Sequence, residues 1–129
     1  MPYTYAGQNA ALFGAGLSYV ATQLACYSSS STPAEAGTGF VEVSGGGYAR
    51  ITISHANWSS IAVGAHRGIQ LADEVFTAVG GSIADIAGCY LLDVGGNVLA
   101  WWARTSVLTL ADGESMTVDD AKLYFTSAG

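Results

Sequence analysis

Apolar residues fall in short runs along this chain, and turn-forming residues separate the runs. The clearest case is a predicted hairpin, in which apolar runs at 87–92 and 98–103 flank Gly95-Gly96-Asn97. Glycine and asparagine adopt the positive φ angles that tight hairpin turns require. The pattern is typical of two antiparallel strands joined by a short turn.

Similar runs predict strands over most of the remaining sequence. Valine, isoleucine, threonine and aromatic residues, which favour strands, are frequent in these runs, and glycines interrupt them. We expect a short N-terminal helix or arm at 1–16, irregular structure at 54–65, and strands at 17–27, 40–43, 48–53, 69–79, 105–110, 115–118 and 121–125. The spacing predicts an all-β fold, namely an antiparallel β-sandwich of jelly-roll type in a single domain that spans residues 1–129.

Both faces of the predicted hairpin are apolar. Alternation along the return strand places Val98, Ala100 and Trp102 on one face, with Leu99 and Trp101 on the other. An antiparallel strand with one solvated face should instead alternate apolar and polar residues. Another layer must therefore cover the second face, and either a long loop of the same chain or another subunit can supply it. Because the two adjacent tryptophans point to opposite sides, one is expected in the core and the other at an interface.

Charge is scarce in this sequence and mostly negative. Of the 129 residues, 11% are charged and 50% are hydrophobic, and only four lysines and arginines are present, for a net charge of −6. Nucleic acids and anionic membranes both need a cationic surface, so neither is an expected partner. With little charge available for the exterior, part of the apolar surface is expected to lie against a protein partner. Neither a signal peptide nor an apolar run of membrane-spanning length is recognisable, so synthesis in the cytoplasm is expected.

The residue types that catalysis requires occur in this sequence, but their spacing does not assemble a site. His55 and His66 are the only histidines, and each is predicted to be an ordinary loop or surface residue. The carboxylate pairs at 73–74 and 119–120 are sequence neighbours, whereas glycosidase chemistry needs two carboxylates that face each other across a cleft. The glycines at 45–47 lack the lysine and the following helix of a phosphate loop. We therefore predict no enzyme activity, no catalytic residues, no cofactor and no metal.

The two cysteines, Cys26 and Cys89, lie far apart in the sequence within apolar runs. Neither belongs to a C-x-x-C pair, so the spacing does not indicate a zinc site. We expect two buried free thiols, with a disulfide between them as the alternative.

One stretch of the sequence resembles a known family. Residues 36–50 read A-G-T-G-F-V-E-V-S-G-G-G-Y-A-R, which is similar to a recurrent stretch in small virion proteins of tailed phages. The Gly-Gly-Asn hairpin with its aromatic return strand, and a closing Asp-Gly-Glu turn at 112–114, extend the resemblance over most of the chain after residue 16. The resemblance implies a structural protein of the virion, without enzyme activity. Members of this family include tail proteins and capsid decoration (cement) proteins.

The resemblance, together with the apolar and weakly charged composition, favours a capsid decoration protein that forms a homotrimer and stabilises the assembled head. Its expected location is then the virion, and its partners are further copies of itself and the major capsid protein or tail proteins. Two alternatives stay open, namely a tail or baseplate subunit with the same fold, and a β domain that binds carbohydrate or another small ligand. The candidate interface residues are Tyr3, Tyr5, Ser30, Thr32, Trp58, Trp101 and Trp102.

Overall fold

The computed structural model describes Thr4 and residues 17–63, 66–119 and 121–124, so the helix or arm predicted at 1–16 lies outside the described residues apart from Thr4. In the described part the fold is all-β, as predicted, apart from a helix α1 (Leu17–Val20) and one 3-10 turn (His55–Asn57). No helix there is long and apolar enough to cross a membrane. The strands are β1 (Gln23–Ser28), β2 (Ile51–Thr52), β3 (Trp58–Val63), β4 (His66–Leu71), β5 (Glu74–Thr77), β6 (Ile83–Leu92), β7 (Val98–Leu110), β8 (Ser115–Val118) and β9 (Lys122–Tyr124).

These strands form three antiparallel sheets. The largest has the order β2-β1-β6-β7, the second has the order β3-β4-β9, and the third is the pair β5-β8. The main apolar core takes side chains from all three sheets. Its largest fully buried apolar side chains are Leu24, Leu71, Ile83, Ile86, Leu91 and Leu99. Since burial of a side chain of this size contributes about 1.5–3 kcal/mol, the shared core is what holds the sheets together.

The predicted Gly-Gly-Asn hairpin is present and is longer than expected. β6 and β7 pair from the Leu92–Val98 pair near the turn to the Ile83–Leu110 pair, with the ladder interrupted at 104–107, so the separate strand predicted at 105–110 is the end of β7. At the tip of the hairpin, Asp93 Oδ1 accepts hydrogen bonds from the backbone N–H groups of Gly95 and Asn97, each at 2.9 Å. A side chain next to the turn thus satisfies the turn's own backbone, which is the usual role of aspartate there.

A β-bulge near the tip changes which face each residue of β7 occupies. Leu92 pairs with Val98 and Leu91 pairs with Ala100, so Leu99 is the extra residue without a ladder partner. Leu99 and Ala100 both enter the main core, and Val98 packs on the opposite side of the sheet. The predicted grouping is therefore wrong for Val98 and Leu99, because strict alternation fails at a bulge.

A second apolar cluster covers the other face of the largest sheet. It consists of Ala25, Tyr27, Tyr90, Leu92 and Val98, with Phe40, Ala87 and Trp101 packed against it. Phe40 belongs to the connection between β1 and β2, and its ring stacks on that of Tyr90 with 5.0 Å between the centroids. A loop of the same chain therefore supplies part of the covering layer, which is one of the two possibilities that the sequence pattern allowed.

Three segments differ from their predicted structure. In the segment where a strand is expected at 17–27, the first residues form α1 instead. The strand β1 begins only at Gln23, opposite Leu92 of β6. The region expected to be irregular at 54–65 is mostly β3, which pairs with β4 at six positions. Because ladder hydrogen bonds use backbone groups alone, the serines of β3 do not prevent this pairing. The strand expected at 69–79 is divided between β4 and β5, which belong to different sheets.

The strands predicted at 40–43 and 48–53 are also much reduced. The first is a single bridge between Glu42 and Tyr27, and the second is the two-residue β2. Beside β1, the hydroxyl of Tyr48 accepts the backbone N–H of Cys26 at 2.9 Å. The Tyr48 hydroxyl thus accepts a backbone N–H group that would otherwise bond to a neighbouring strand. The ladder therefore does not continue at this point.

Candidate functional site

The family-like stretch at 36–50 closes on itself through three side chains. Arg50 donates from Nε to Glu42 Oε2 at 2.9 Å and from Nη2 to Oε1 at 3.0 Å. Tyr48 donates its hydroxyl to the same Oε2 at 2.7 Å, and Arg50 Nη1 donates to Gln23 Oε1 at 3.1 Å. The Glu42–Tyr48–Arg50 cluster therefore ties this stretch to the start of β1.

The contacts in this cluster set the ionisation of its members. Burial opposes ionisation of Glu42, but the hydrogen bonds from Arg50 and Tyr48 outweigh burial and hold the pKa of the carboxyl below its ordinary value. Burial, followed by the hydrogen bond to Glu42, raises the pKa of the Tyr48 phenol. Glu42 is thus a carboxylate fixed by donors on both oxygens, which suits a structural role better than proton transfer.

The three glycines of the same stretch form a turn that touches another loop. Gly45, Gly46 and Gly47 have φ angles of +90°, +50° and +67°. The carbonyl of Gly46 accepts the N–H of Val79 at 2.7 Å, and a Cβ added to Gly46 would lie 2.9 Å from the carbonyl oxygen of Gly81. Glycine is required here because two backbones approach closely at positive φ. The triplet is therefore accounted for by the fold.

The three tryptophans that the sequence offers as contact residues are all half-buried. Trp101 packs against the second cluster, where it meets Phe40 edge to face at 5.6 Å. Trp102 packs against the main core and donates its indole N–H to the Lys122 carbonyl at 3.2 Å. Trp58 packs against the main core too, and its indole Nε1 is buried without a hydrogen-bond partner in the described part of the chain. Each tryptophan therefore fills its own chain's core and leaves only part of its ring for a partner.

The remaining predicted contact residues lie before and after the first strand. Ser30 is exposed in the loop after β1, and its hydroxyl is hydrogen-bonded to that of Ser28 at 2.7 Å. Thr32 is exposed in the same loop. Tyr3 and Tyr5 lie outside the described residues. The structure thus places Ser30 and Thr32 together on one loop but does not bring them to a tryptophan through any described contact.

The outer edge of β7 is open over its second half. Among the described strands, only β6 pairs with β7. The side chains from Ala103 to Val107 are exposed, as is Thr109, and Val107 retains 52% of its accessible surface. Arg104 is the one charged residue of β7, and the strand contains no proline. The ladder with β6 is interrupted at 104–107, so this weakly charged stretch has backbone groups available for pairing with another chain.

A cleft of about 270 Å³ lies between β7 and β8. Trp102 and Met116 supply apolar parts of its lining, and the thiol-bearing residue Cys89 also faces it. Arg104 and Asp119 bring opposite charges to the same cleft, and Arg104 Nε donates to the backbone of β7 itself, at the Ser106 carbonyl, 3.1 Å away. The cleft therefore combines an aromatic wall with one cation and one anion.

Two of the residues that line this cleft could have been placed on one face from the sequence. Trp102 and Arg104 are two positions apart on a strand, so they share a face. Asp119 comes from the end of β8, and nothing in the local pattern indicates that it meets β7. In the sequence, Asp119 stands out only as one member of the carboxylate pair at 119–120.

The two cysteines face each other across β1 and β6 as buried free thiols, in keeping with expectation. Burial raises the pKa of both thiols, that of Cys89 to about 12. The Arg104 guanidinium acts in the opposite direction on both groups, but burial is the larger effect. Since Cys89 also lines the cleft, the thiol pair extends from the core towards the surface.

Among the side chains that the structure describes, the other candidates for chemistry stay apart. His55 lies on the surface, where its ring stacks on Tyr19 with 3.7 Å between the centroids. Asp73 is exposed between β4 and β5. Within the residues that the structure describes, no three His, Cys, Asp or Glu side chains come together as a metal site.

Comparison of the chain with protein-family models, curated proteins and solved structures gives no match. The features that bear on function are therefore the resemblance at 36–50 and the geometry of β7, the cleft and the thiol pair.

Proposed function

We propose that this protein is a non-enzymatic structural subunit of a tailed-phage particle, acting as a capsid decoration protein that binds copies of itself and the assembled shell. The observation that carries the proposal is the open edge in the second half of β7, which offers a nearly uncharged stretch of strand to another chain. The resemblance of residues 36–50 to phage virion proteins supplies the biological setting. Decoration proteins in this setting need a compact domain that can occupy many equivalent positions.

In this proposal the three sheets together make up a β-sandwich of jelly-roll type. The main core supports that arrangement, because Leu71 of β4, Phe76 of β5 and Leu91 of β6 all enter it from different sheets. The Glu42–Tyr48–Arg50 cluster has a place in the same scheme, since it holds the family-like stretch against β1. In this proposal the residues of the stretch at 36–50 stabilise the domain and do not themselves contact a ligand.

Self-association through β7 follows from the chemistry of an open strand edge. The unpaired N–H and C=O groups of such an edge are satisfied by water or by another extended chain. In a threefold ring, β7 of one copy would meet a different edge of the next copy, because cyclic contacts of this kind are heterologous. The partly exposed ring of Trp101 lies on the same strand and can add aromatic contact area to that interface.

Stabilisation of the head would then arise by mass action. A protein that binds the assembled lattice, and not its separated subunits, raises the stability of the lattice by its binding free energy. No chemical step is needed, so the proposal requires neither a catalytic group nor a cofactor.

The test is the copy number and position of this chain in purified particles of the phage that encodes it, measured by cryo-electron microscopy. Density at threefold or quasi-threefold positions over the head supports the decoration role. Density confined to the tail supports the tail or baseplate alternative and rejects the decoration role. Absence from the particle rejects both.

A second candidate function, binding of carbohydrate or another small polar ligand, is favoured by the cleft between β7 and β8. The partly exposed Trp102 ring beside Arg104 and Asp119 joins an apolar wall to a donor and an acceptor, which is the usual composition of a small-ligand site. A panel of monosaccharides and short glycans, screened by ligand-observed NMR, tests this function. Binding that disappears in Trp102→Leu and persists in Trp58→Phe supports it, and absence of binding to the wild-type protein rejects it for these ligands.

A further inference from the structure

The two cysteines lie opposite each other in the ladder between β1 and β6. Cys26 and Cys89 are direct partners in this antiparallel pair. The backbone N–H of Cys26 is donated to Tyr48 Oη at 2.9 Å, and its carbonyl accepts the N–H of Val43 at 3.1 Å. Both backbone groups of Cys26 therefore point away from β6, so the cysteines form a non-hydrogen-bonded pair.

That position brings the two side chains close. In a non-hydrogen-bonded antiparallel pair the Cα atoms are about 4.5 Å apart, nearer than in the hydrogen-bonded kind. Disulfides bridge Cα separations of roughly 4.4–6.8 Å, so this separation lies within the range. Cys26 and Cys89 also enter the same core cluster, on the same face of the sheet. The backbone therefore places the two side chains on one side of the sheet, at a Cα separation that a disulfide can bridge.

The two thiols differ in their access to solvent. Cys26 is completely buried, whereas Cys89 retains 6% of its surface and lines the cleft beside Trp102 and Arg104. A small reagent that enters the cleft can therefore reach Cys89 first. The positive charge of Arg104 favours the thiolate there, although burial keeps its concentration low.

We propose that Cys26 and Cys89 are a redox-sensitive pair that closes to a cross-strand disulfide when the folded protein meets a low-molecular-weight disulfide such as oxidised glutathione. The Cys89 thiol first loses its proton to solvent, and the thiolate attacks the reagent. This forms a mixed disulfide on Cys89 and releases one glutathione thiolate. The Cys26 thiol then gives its proton to the leaving glutathione sulfur as its own sulfur attacks Cys89 Sγ, which forms the Cys26–Cys89 bond, breaks the mixed disulfide and releases the second glutathione as a thiol. The first glutathione thiolate takes a proton from solvent. Two protein thiols are oxidised and one glutathione disulfide is reduced to two thiols.

The bond would join the two central strands of the largest sheet and close the loop that spans residues 27–88. A cross-link over so long a loop restricts the unfolded chain strongly, so the oxidised protein should unfold at a higher temperature. A particle protein made in a reducing cytoplasm and then released outside the cell would gain this stabilisation only after release. That setting rests on the proposed function, whereas the chemistry depends only on the isolated chain.

The experiment uses the purified, fully reduced, full-length chain incubated under native conditions with oxidised glutathione at about pH 8.5, close to the ordinary pKa of a thiol. We expect intact mass to fall by about 2 Da, as loss of two hydrogens requires, and a non-reducing peptide map to join the peptides of Cys26 and Cys89. The thermal unfolding midpoint should rise and should return to its starting value on reduction. A native chain that stays reduced, or that stops at a glutathione adduct, overturns the proposal.

Two variants make the result specific. Cys26→Ser should accumulate the mixed disulfide on Cys89, and Cys89→Ser should leave the buried Cys26 unmodified while the chain is folded. Modification of both single variants to the same extent would contradict the order of attack. If circular dichroism shows that either variant does not fold, the order of attack is measured on the wild-type protein. Its reaction is quenched with an alkylating reagent at early times, and the glutathione adduct must appear on Cys89 before the disulfide forms. These measurements need no particle, so they can fail or succeed independently of the decoration role.

Discussion

Arg50 holds Glu42 by two parallel hydrogen bonds, Nε to Oε2 at 2.9 Å and Nη2 to Oε1 at 3.0 Å. This two-point contact is the strongest kind of side-chain ion pair, because it fixes geometry as well as charge. Tyr48 adds a third donor to the same carboxylate and also accepts the N–H of Cys26. The contact between Glu42 and Arg50 therefore links the family-like stretch to the strand that carries one of the two thiols.

The Glu42–Arg50 pair should make stability depend on pH. The folded-state pKa of Glu42 lies below its ordinary value of 4.5, so its contribution is present above that value and is lost as the pH falls through the folded-state pKa. We expect Glu42→Gln to lower the free energy of unfolding at neutral pH by about 1 kcal/mol, a value reduced by solvent screening at this half-buried site. Urea unfolding at pH 7 and at about pH 3.5, below the ordinary carboxyl pKa, should show a smaller difference between the two proteins in acid. The exposed Glu35 supplies the control Glu35→Gln, and an equal loss at both pH values would contradict the prediction.

The Tyr48 hydroxyl should matter more than its ring. Tyr48→Phe keeps the ring, which stacks on Phe76 with 5.9 Å between the centroids, but it removes the acceptor of the Cys26 N–H. A buried donor left without a partner costs about 1–3 kcal/mol. The measurement is the free energy of unfolding in urea, compared with Tyr19→Phe at an exposed ring. Equal effects of the two substitutions would show that the hydroxyl contacts contribute nothing.

The glycine turn offers a matched pair of substitutions. Gly46 has φ +50° with the Gly81 carbonyl oxygen 2.9 Å from an added Cβ, whereas Gly113 has φ +87° with nothing within 4 Å. Gly113→Ala should cost about 1 kcal/mol from backbone strain alone. Gly46→Ala should cost more, about 2–4 kcal/mol, because the two loops must also move apart. Thermal unfolding of both variants tests this order, and equal midpoints would indicate that the loop contact is loose.

The open edge of β7 should control self-association. Val107 is half exposed in the stretch 104–107 of β7, where the ladder with β6 is interrupted, and a lysine there places charge where native edges use it to prevent pairing. We expect the wild-type protein to sediment as an oligomer, and Val107→Lys to weaken association at least about tenfold, the effect of 1.4 kcal/mol, with little change in the unfolding midpoint.

The control for this test is Val94→Lys at the hairpin tip, where the side chain retains 93% of its surface. Val94→Lys should leave the oligomer unchanged. A wild-type protein that sediments as a monomer at every concentration tested, or an oligomer that survives Val107→Lys intact, would exclude β7 as the interface.

Features of this protein that depend on neighbouring residues follow from the sequence. The Gly-Gly-Asn hairpin and the all-β class were predictable, since turn chemistry and strand-forming runs act over a few residues. The presence of buried thiols was predictable as well, because Cys26 and Cys89 lie within apolar runs.

Tertiary structure alone decided the features that join distant segments. The bulge at Leu99 reverses the predicted face of Val98, and it arises from the register of β7 against β6. The presence of Asp119 and Arg104 in one cleft depends on how separate sheets pack. The opposition of Cys26 and Cys89 depends on the register of β1 against β6. Register and packing are properties of two segments at once, and a shift of one residue turns every side chain to the other face, so no local pattern could determine them.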